Sequence, residues 1–441
     1  MNKNRGIIFN IVSIIIIALA LFYFYLNDNR NLFFLNPNKN NTLLENKLNF
    51  DINNIPDDED KEEGKQEETT NHYDDIFKID PNAYNNPTFI NQLSHNQYTR
   101  NFLNNDEQKL YDLLVTNSLK HIASFKIKPI DEDSIYRVYM AFLNDKPEHF
   151  WVKHLKYYQS NISQQIVKIE FEYSVDLAER ENRQRQIDRV VNEIISQLNQ
   201  FNNDYTKIKY VHDYIINNTT YDINAPDNQN IYSVFVNRRS VCAGYAKSLQ
   251  YIMNKIGVYS LYVTGKIKSH DQEEINHAWN IIKLDNQYYH LDITWGDSVF
   301  AAVNIEEGYP TYHYFNITTD ELLKTHIIDN NFPLPTCNGI KYNYYLKEGL
   351  LFNQYNTTVK DKLLHEVISN NQNKKRFFSL KFTDLEQYNR AINLLLAKNG
   401  DIFTIIRVAN KTVTNKIDTK RVGYYKWDDK FIIDFIINYN K

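Results

Sequence analysis

The chain has 441 residues, with 50 Lys and Arg against 54 Asp and Glu, which gives a formal net charge of -4 at pH 7. This near balance leaves no basic stripe to hold a phosphate backbone, so the composition argues against nucleic acid as a partner. Two cysteines, Cys242 and Cys337, are too few for a disulfide framework, and the length predicts two or three domains.

The first predicted element is a membrane anchor. Gly6 to Leu26 carries no charged residue, and a helix of this length crosses the roughly 30 Å hydrocarbon core of a bilayer. Lys3 and Arg5 precede it, which predicts a cytoplasmic N-terminus and places the rest of the chain outside the cell. A cleaved signal peptide is the alternative, because Ala18-Leu19-Ala20 resembles a processing site. The apolar run continues beyond it and favours an uncleaved anchor.

The acidic, Asn-rich segment after the anchor predicts a flexible linker, because it lacks the apolar residues that would offset its ordering entropy. Its acidic run also lacks the spacing of a calcium-binding loop. The predicted organisation is a cytoplasmic N-terminus at 1–5, an anchor at 6–26, a linker at 27–86, an N-terminal α/β domain at 87–177, a catalytic domain at 178–335 and a C-terminal α+β domain at 336–441.

Several elements are predicted in these domains from apolar spacing. A helical stretch begins after Asn105 and includes His121 to Phe125, and a strand covers 166–175. Two helices, 178–201 and 207–217, precede Cys242. In the C-terminal domain the prediction is a strand at 377–382, a helix capped by Thr383 or Asp384 and ended by Gly400, a strand at 401–409 and a hairpin around Asp428-Asp429.

The sequence predicts a helix that begins at Cys242, because the apolar residues after it recur at helical spacing: Tyr245, Leu249, Ile252 and Ile256. Gly257 follows where a left-handed residue commonly ends a helix. The unpaired N-H groups of a first helical turn stabilise a thiolate. Free cysteines are more often buried as small hydrophobic residues, so a nucleophilic role requires a base and an orienting group nearby.

A predicted hairpin supplies both partners. Two β-prone runs flank Asp285-Asn286, a pair typical of two-residue turns. With that turn, His277 and Asp292 lie on one face as diagonal neighbours, with Cβ atoms about 7 to 8 Å apart. A three-residue loop would place them on opposite faces, so the predicted Cys-His-Asp triad depends on the turn.

Other residues near the hairpin compete for these roles. His290 and the two tryptophans, Trp279 and Trp295, are pocket candidates that fit the core equally well. Asp297 is a rival orienting carboxylate, although it lies beyond the strand. A zinc site from Cys242, His277, His290 and Asp292 is an alternative, but paired metal-ligand motifs are missing, and we predict no metal. On the preceding helix, His212 is expected to be structural.

Three sequence blocks, SVCAGYAKSLQYIMNKIG, HAWNIIKLDNQYYHLDITWGD and YHYFNITTDEL, together resemble the bacterial transglutaminase-like superfamily. The resemblance covers Tyr205 to His326 well, residues 142–173 loosely and the C-terminal domain hardly at all. It implies an α+β fold with a papain-like core, in which a helix bearing the cysteine packs on an antiparallel sheet, flanked by small α/β and α+β domains. It also implies Cys242 as nucleophile, His277 as base and Asp292 as orienting carboxylate, with no cofactor.

The expected activity is attack of a thiol on a peptide or glutamine carboxamide bond through a thioester. Hydrolysis of envelope proteins or peptides at the cell surface is favoured. A protein cross-linking transglutaminase is the first alternative, and a non-catalytic surface binding or scaffold protein is the second, because a fold alone does not prove activity.

Overall fold

The computed structural model describes residues 97–160, 163–268, 274–297, 309–329, 331–397 and 400–440. The predicted anchor at 6–26 and linker at 27–86 lie outside these residues. Within the described ranges, no helix combines the length and the apolar character needed to cross a bilayer.

The described chain divides into two units, of which the first contains Asn104–Tyr139 and Trp151–Asp176. Its strands form a three-stranded antiparallel sheet in the order β1-β3-β2. The elements that begin in it are α1 (Asn105–Leu119), β1 (Ser124–Ile130), α2 (Glu132–Asp145), β2 (Val152–Gln159) and β3 (Ile166–Tyr173). Helix α2 continues into the second unit.

The prediction of helix across His121 to Phe125 is wrong. Helix α1 ends at Leu119, and His121 has a positive φ of 57°, a left-handed conformation that an α-helix does not tolerate. Phe125 already belongs to β1, where it pairs with Ile169. The chain therefore reverses at His121 and enters the sheet.

Among the described residues, the second unit contains 97–103, Met140–Phe150 and those from Leu177 onward. At its centre is a five-stranded antiparallel sheet in the order β10-β6-β7-β8-β9, with helix α5 packed against β6 and β7. The elements up to β10 are α3 (Leu177–Leu198), α4 (Asp204–Asn218), β4 (Thr220–Tyr221), β5 (Arg239–Ser240), α5 (Cys242–Lys255), β6 (Ser260–Lys268), β7 (Glu274–Leu284), β8 (Gln287–Leu291), α6 (Ile293–Gly296), β9 (Phe315–Ile317), α7 (Thr319–Leu322) and β10 (His326–Ile328).

Helix α5 has the apolar stripe that its sequence predicts. Tyr245, Leu249 and Ile252 are each fully buried, and Gly257 follows the helix at a positive φ of 73°. Asn280 of β7 donates a hydrogen bond to the backbone carbonyl of Ala246 at 3.0 Å, which ties the helix to the sheet. The start of α5, and with it Cys242, is thereby fixed against β7.

The hairpin between β7 and β8 has the two-residue turn that was predicted. Asp285 and Asn286 have positive φ angles of 47° and 62°, as a type I′ turn requires, and Leu284 pairs with Gln287. Pairing continues back to Asn280 opposite Leu291. This register is confirmed as far as Leu291, where β8 ends. Asp292 lies just beyond the paired strand, as the N-cap of α6, and its carboxylate is 2.6 Å from the His277 ring.

The C-terminal part adds a four-stranded sheet in the order β11-β12-β14-β13. Its elements are α8 (Tyr344–Lys347), β11 (Leu351–Phe352), α9 (Thr357–Ser369), β12 (Phe377–Phe382), α10 (Leu385–Leu395), α11 (Asp401–Thr412), β13 (Ile417–Trp427) and β14 (Ile432–Tyr439). The predicted strand at 401–409 is wrong, because this segment is α11. Ile402, Ile405 and Ile406 are buried at helical spacing, and Gly400 begins that helix instead of ending the previous one. The α+β class is confirmed.

Candidate active site

Cys242 is the first residue of α5 and is buried, with 7% of its surface exposed. Its side chain is hydrogen-bonded to His277, which stands on β7. The thiol therefore lies where the first turn of a helix and an imidazole both act on it.

His277 bridges the thiol and a carboxylate. Its Nε2 lies 2.6 Å from Asp292 Oδ2, so Nδ1 is the ring nitrogen left for Cys242. Burial opposes a positive charge on His277, but the Asp292 carboxylate and the hydrogen bonds to Asp292 and Cys242 outweigh it and raise the pKa of His277 to about 10. The imidazolium form is thus favoured at neutral pH, as a thiolate and imidazolium pair requires.

Asp292 uses its two oxygens for different purposes. Oδ1 accepts the backbone N-H of Trp295 at 3.1 Å and so caps helix α6, while Oδ2 faces His277. Burial would raise the pKa of Asp292, but the charge of His277 and hydrogen bonds from His277 and His326 hold it below its usual range. The carboxylate is therefore ionised and fixed in place.

His326 is a site residue that the sequence analysis missed. It lies on β10, at the edge of the sheet, and its Nε2 is 3.1 Å from the same Asp292 Oδ2. Burial lowers the pKa of His326 more than the hydrogen bond and charge of Asp292 raise it, so this imidazole stays neutral. Its Nε2 carries the proton, and Nδ1 lies 2.9 Å from Thr325 Oγ1. No local pattern marks His326 in the sequence, because the pairing of β10 with β6 brings it to the site.

Tyr221 also belongs to the site without having been singled out. The backbone N-H of Cys242 is hydrogen-bonded to the phenol of Tyr221 on β4. Burial, together with the nearby Cys242 and Asp292, raises the pKa of Tyr221 well above its usual range, so the phenol keeps its proton. A neutral hydroxyl therefore stands beside the first N-H of α5.

The three residues predicted as pocket candidates, Trp279, His290 and Trp295, are engaged in hydrogen bonds or ring packing. Trp279 is fully buried and donates from Nε1 to His290 Nδ1 at 3.1 Å, and His290 Nε2 lies 3.1 Å from Thr319 Oγ1. Burial lowers the pKa of His290 to about 3, so it is a neutral core residue. Trp295 is half-buried and packs edge-on against Tyr314, with ring centroids 4.9 Å apart.

The residues that the sequence offered as alternatives to the triad have other hydrogen-bond partners. Asp297 accepts a hydrogen bond from the Tyr245 hydroxyl at 3.2 Å, and His212 Nδ1 lies 2.9 Å from Asp213 Oδ1. His290 is engaged elsewhere, so the zinc set considered from the sequence does not form. The ligand atoms of His277, Asp292 and His326 do lie within 4.8 Å of one another, and each imidazole faces the carboxylate as in a hydrogen-bonded relay.

Residues 191–293 match the family model for the transglutaminase-like superfamily. A search of curated proteins found no match. Among solved structures, the chain is similar to a TGase with 15% identity, covering 35% of this chain and 46% of that one, with a TM-score of 0.25. It is also similar to the periplasmic domain of TgpA from Pseudomonas aeruginosa, with 15% identity, covering 30% of this chain and 56% of that one, and a TM-score of 0.21.

The chain spans less than two thirds of the length of either structure. The family match has independent support in the geometry. It covers Cys242, His277 and Asp292, which the fold brings into one hydrogen-bonded group. The arrangement is consistent with a cysteine-dependent enzyme. The chain thus carries a match to the transglutaminase-like superfamily over residues 191–293, within an α+β fold.

Proposed function

We propose that the protein is a thiol enzyme that cleaves peptide or glutamine carboxamide bonds through a Cys242 thioester. The observation that carries this proposal is the position of His277, which hydrogen-bonds Cys242 and lies 2.6 Å from Asp292. Nucleophile, base and orienting carboxylate then have the connectivity of a thiol triad.

In the first half-reaction the Cys242 thiolate attacks the carboxamide carbon and forms a C-S bond. The His277 imidazolium gives its proton to the departing nitrogen as the C-N bond breaks, so ammonia or an amine leaves and a thioester remains. In the second half-reaction neutral His277 takes a proton from water as its oxygen attacks the thioester carbon. The C-S bond breaks, and the carboxylic acid and the thiolate and imidazolium pair are regenerated.

Stabilisation of the oxyanion is assigned to the start of α5. The Cys242 N-H is one donor, and the Tyr221 hydroxyl beside it is the second. A substrate oxygen entering this position would replace the phenol as the acceptor of the N-H and would receive the phenolic O-H. Tyr221 thus supplies the second donor, for which the sequence offered no assignment.

Water competes with amines for the thioester, and its high concentration favours hydrolysis unless the cleft excludes it. A protease or amidase is therefore the form of the activity that we propose, with cross-linking as the alternative. The decisive experiment offers a glutamine peptide with and without a labelled primary amine and identifies the products by mass. Deamidation or cleavage that disappears in Cys242→Ala supports hydrolysis. If the labelled amine is incorporated and this incorporation disappears in Cys242→Ala, the enzyme is a transferase and not a hydrolase. If no product depends on Cys242, the protein is a binding protein.

We further propose that residues 6–26 anchor the chain in a membrane and that the catalytic domain faces outward, where envelope proteins or peptides are the substrates. The uncharged run and the preceding Lys3 and Arg5 support this orientation. Protease treatment of intact cells should release a fragment cut within residues 27–86. Complete protection of the chain would contradict the outward orientation.

A further inference from the structure

The turn between β13 and β14 lies against the segment that leads into β9, within the same unit of the fold. It carries Lys430, whose Nζ is 4.8 Å from the centre of the Tyr314 ring. Only 14% of the Lys430 side chain is exposed, although turn residues commonly face solvent. Tyr314 is buried, and its backbone carbonyl accepts the N-H of Asp292 at 3.1 Å. Tyr314 thus contacts both a lysine of the C-terminal part and the carboxylate residue of the proposed triad.

A buried carboxylate fixes the position of this hairpin. Asp434 of β14 accepts a hydrogen bond from Trp427 Nε1 at 2.7 Å and lies 3.0 Å from His313 Nε2. The backbone N-H of Lys430 donates to the Trp427 carbonyl at 3.1 Å, which closes the turn. Because His313 directly precedes Tyr314, these contacts hold the turn beside the Tyr314 ring. The approach of Lys430 to Tyr314 therefore belongs to the fold and is not a chance contact of two surface side chains.

A series of hydrogen bonds leads from Lys430 to Asp292. Lys430 Nζ is hydrogen-bonded to the side chain of Tyr314, whose hydroxyl lies 3.0 Å from Thr325 Oγ1. Thr325 Oγ1 is 2.9 Å from His326 Nδ1, and His326 Nε2 is 3.1 Å from Asp292 Oδ2. An ammonium group can only donate and a carboxylate can only accept. With a cation at one end and an anion at the other, the O-H and N-H groups between them are ordered toward Asp292.

The charges around His326 support the same arrangement. Burial lowers the pKa of His326, the hydrogen bond and charge of Asp292 oppose this effect, and the charges of His277 and Lys430 add to it. The phenol of Tyr314 also packs beside this imidazole, with ring centroids 5.4 Å apart. Burial opposes the ammonium form of Lys430, but this phenol and a neighbouring carboxylate outweigh it and raise the pKa of the lysine. Lys430 therefore stays charged and helps to keep His326 neutral, with Nδ1 as an acceptor.

We propose that Lys430 is a positioning residue for the thiol reaction, because it orders the hydrogen bonds that hold His326 on Asp292. The C-terminal part then belongs to the catalytic machinery, although all three triad residues come from the central sheet and its helices. This inference rests on the proposed function and deepens it. Because Lys430 acts through His326 and Asp292, we expect its effect on kcat and on pH dependence rather than on KM.

The test uses the full-length protein and the glutamine peptide, with kcat and KM measured across pH. In Lys430→Met, the acidic limb of the kcat/KM profile should move up by about one pH unit, the size of effect that one nearby charge has in a protein. The reason is that His326 then binds a proton more readily and competes with His277 for Asp292. Lys430→Arg keeps the charge and should recover most of the wild-type profile. Lys426→Met removes an exposed charge from the same hairpin and is the matched control, which should leave the profile unchanged.

Two further variants test the path through His326. In a His326→Gln background the imidazole is gone, so adding Lys430→Met should shift the acidic limb no further. Thr325→Val keeps the shape of the side chain but removes the donor to His326 Nδ1, and it should move the limb in the same direction as Lys430→Met. An unmoved limb in Lys430→Met or Thr325→Val, an equal shift in Lys426→Met, or additive shifts in the double variant would overturn the proposal.

Iodoacetamide labelling separates failure of this inference from failure of the proposed function. If wild-type Cys242 is labelled slowly and the protein shows no turnover, both proposals are overturned. If Cys242 is labelled fast in the wild type and in Lys430→Met, and the two pH profiles coincide, only the role of Lys430 is overturned.

Discussion

His277 and His326 share one oxygen of Asp292, at 2.6 Å and 3.1 Å, and the site gives the two imidazoles opposite protonation states. The pKa of His277 is raised, and that of His326 is lowered. One imidazole can therefore exchange protons with Cys242, while the other donates to Asp292. We therefore expect His326 to act as a positioning residue.

Replacement of His326 by Ala should lower kcat by about 10- to 100-fold, as expected when a partner behind a functional group is removed, with little change in KM. Loss of its hydrogen bond also raises the pKa of Asp292, so the acidic limb of the kcat/KM profile should move to higher pH. His326→Gln retains an N-H donor and should recover much of the rate. An unchanged pH profile in His326→Ala would assign this histidine to packing alone.

The two thiols should differ sharply in reactivity. Burial raises the pKa of Cys337 to about 12, whereas Cys242 is hydrogen-bonded to an imidazole with a raised pKa. At pH 6, iodoacetamide should label Cys242 much faster than Cys337, as measured by peptide mass spectrometry. The difference should disappear in His277→Ala. Equal, slow labelling of both cysteines in the wild type would favour a binding protein over an enzyme.

Replacement of Asp292 by Asn should separate catalysis from stability. Burial lowers the pKa of His277, and the Asp292 carboxylate is the main cause that raises it. Loss of the carboxylate charge should therefore move the basic limb of the kcat/KM profile from near pH 10 to lower pH. Asn retains an oxygen for the Trp295 N-H, so Asp292→Asn should keep the α6 cap. Asp292→Ala should also lose the cap, and its free energy of unfolding should be about 1 kcal/mol lower than that of Asp292→Asn. A basic limb that does not move in Asp292→Asn would contradict the assigned role.

Tyr221→Phe should lower kcat by roughly 100-fold, because removal of one oxyanion donor commonly has an effect of this size. The ring still fills its place, so the thermal midpoint should change little. Iodoacetamide labelling of Cys242 should also be retained, because alkylation forms no oxyanion. A variant with undiminished kcat would show that the phenol only occupies the position and that the second donor is another group.

Local patterns predicted those parts of the site whose geometry is set within a short stretch of chain. The spacing of Tyr245, Leu249 and Ile252 predicts α5 because one face of that helix is buried. The Asp285-Asn286 pair predicts the hairpin register because both residues accept positive φ. The helix places Cys242 at its first turn, and the hairpin brings His277 and Asp292 within hydrogen-bond distance.

The other parts of the site and fold depend on pairing between strands distant in sequence, or on residue spacing that fits both a helix and a strand. His326 reaches Asp292 only because β10 pairs with β6 at the sheet edge, and Tyr221 reaches Cys242 through the parallel pairing of β4 with β5. The segment 401–409 is β-prone in composition, yet its buried residues follow helical spacing. Intrinsic strand preference is weaker than the packing that decides such cases.

Asp292 accepts the backbone N-H of Trp295 with one oxygen and faces His277 with the other, so one ionisable group contacts both the α6 turn and the imidazole. Because the pKa of Asp292 is depressed in the folded protein, its contribution to stability is complete above the pKa of the unfolded chain and is lost as the pH falls through the folded value. Strong acid would therefore neutralise the carboxylate that faces the imidazole, while an oxygen remains to accept the Trp295 N-H. Activity would then be lost at a pH at which the short turn after Asp292 is still capped.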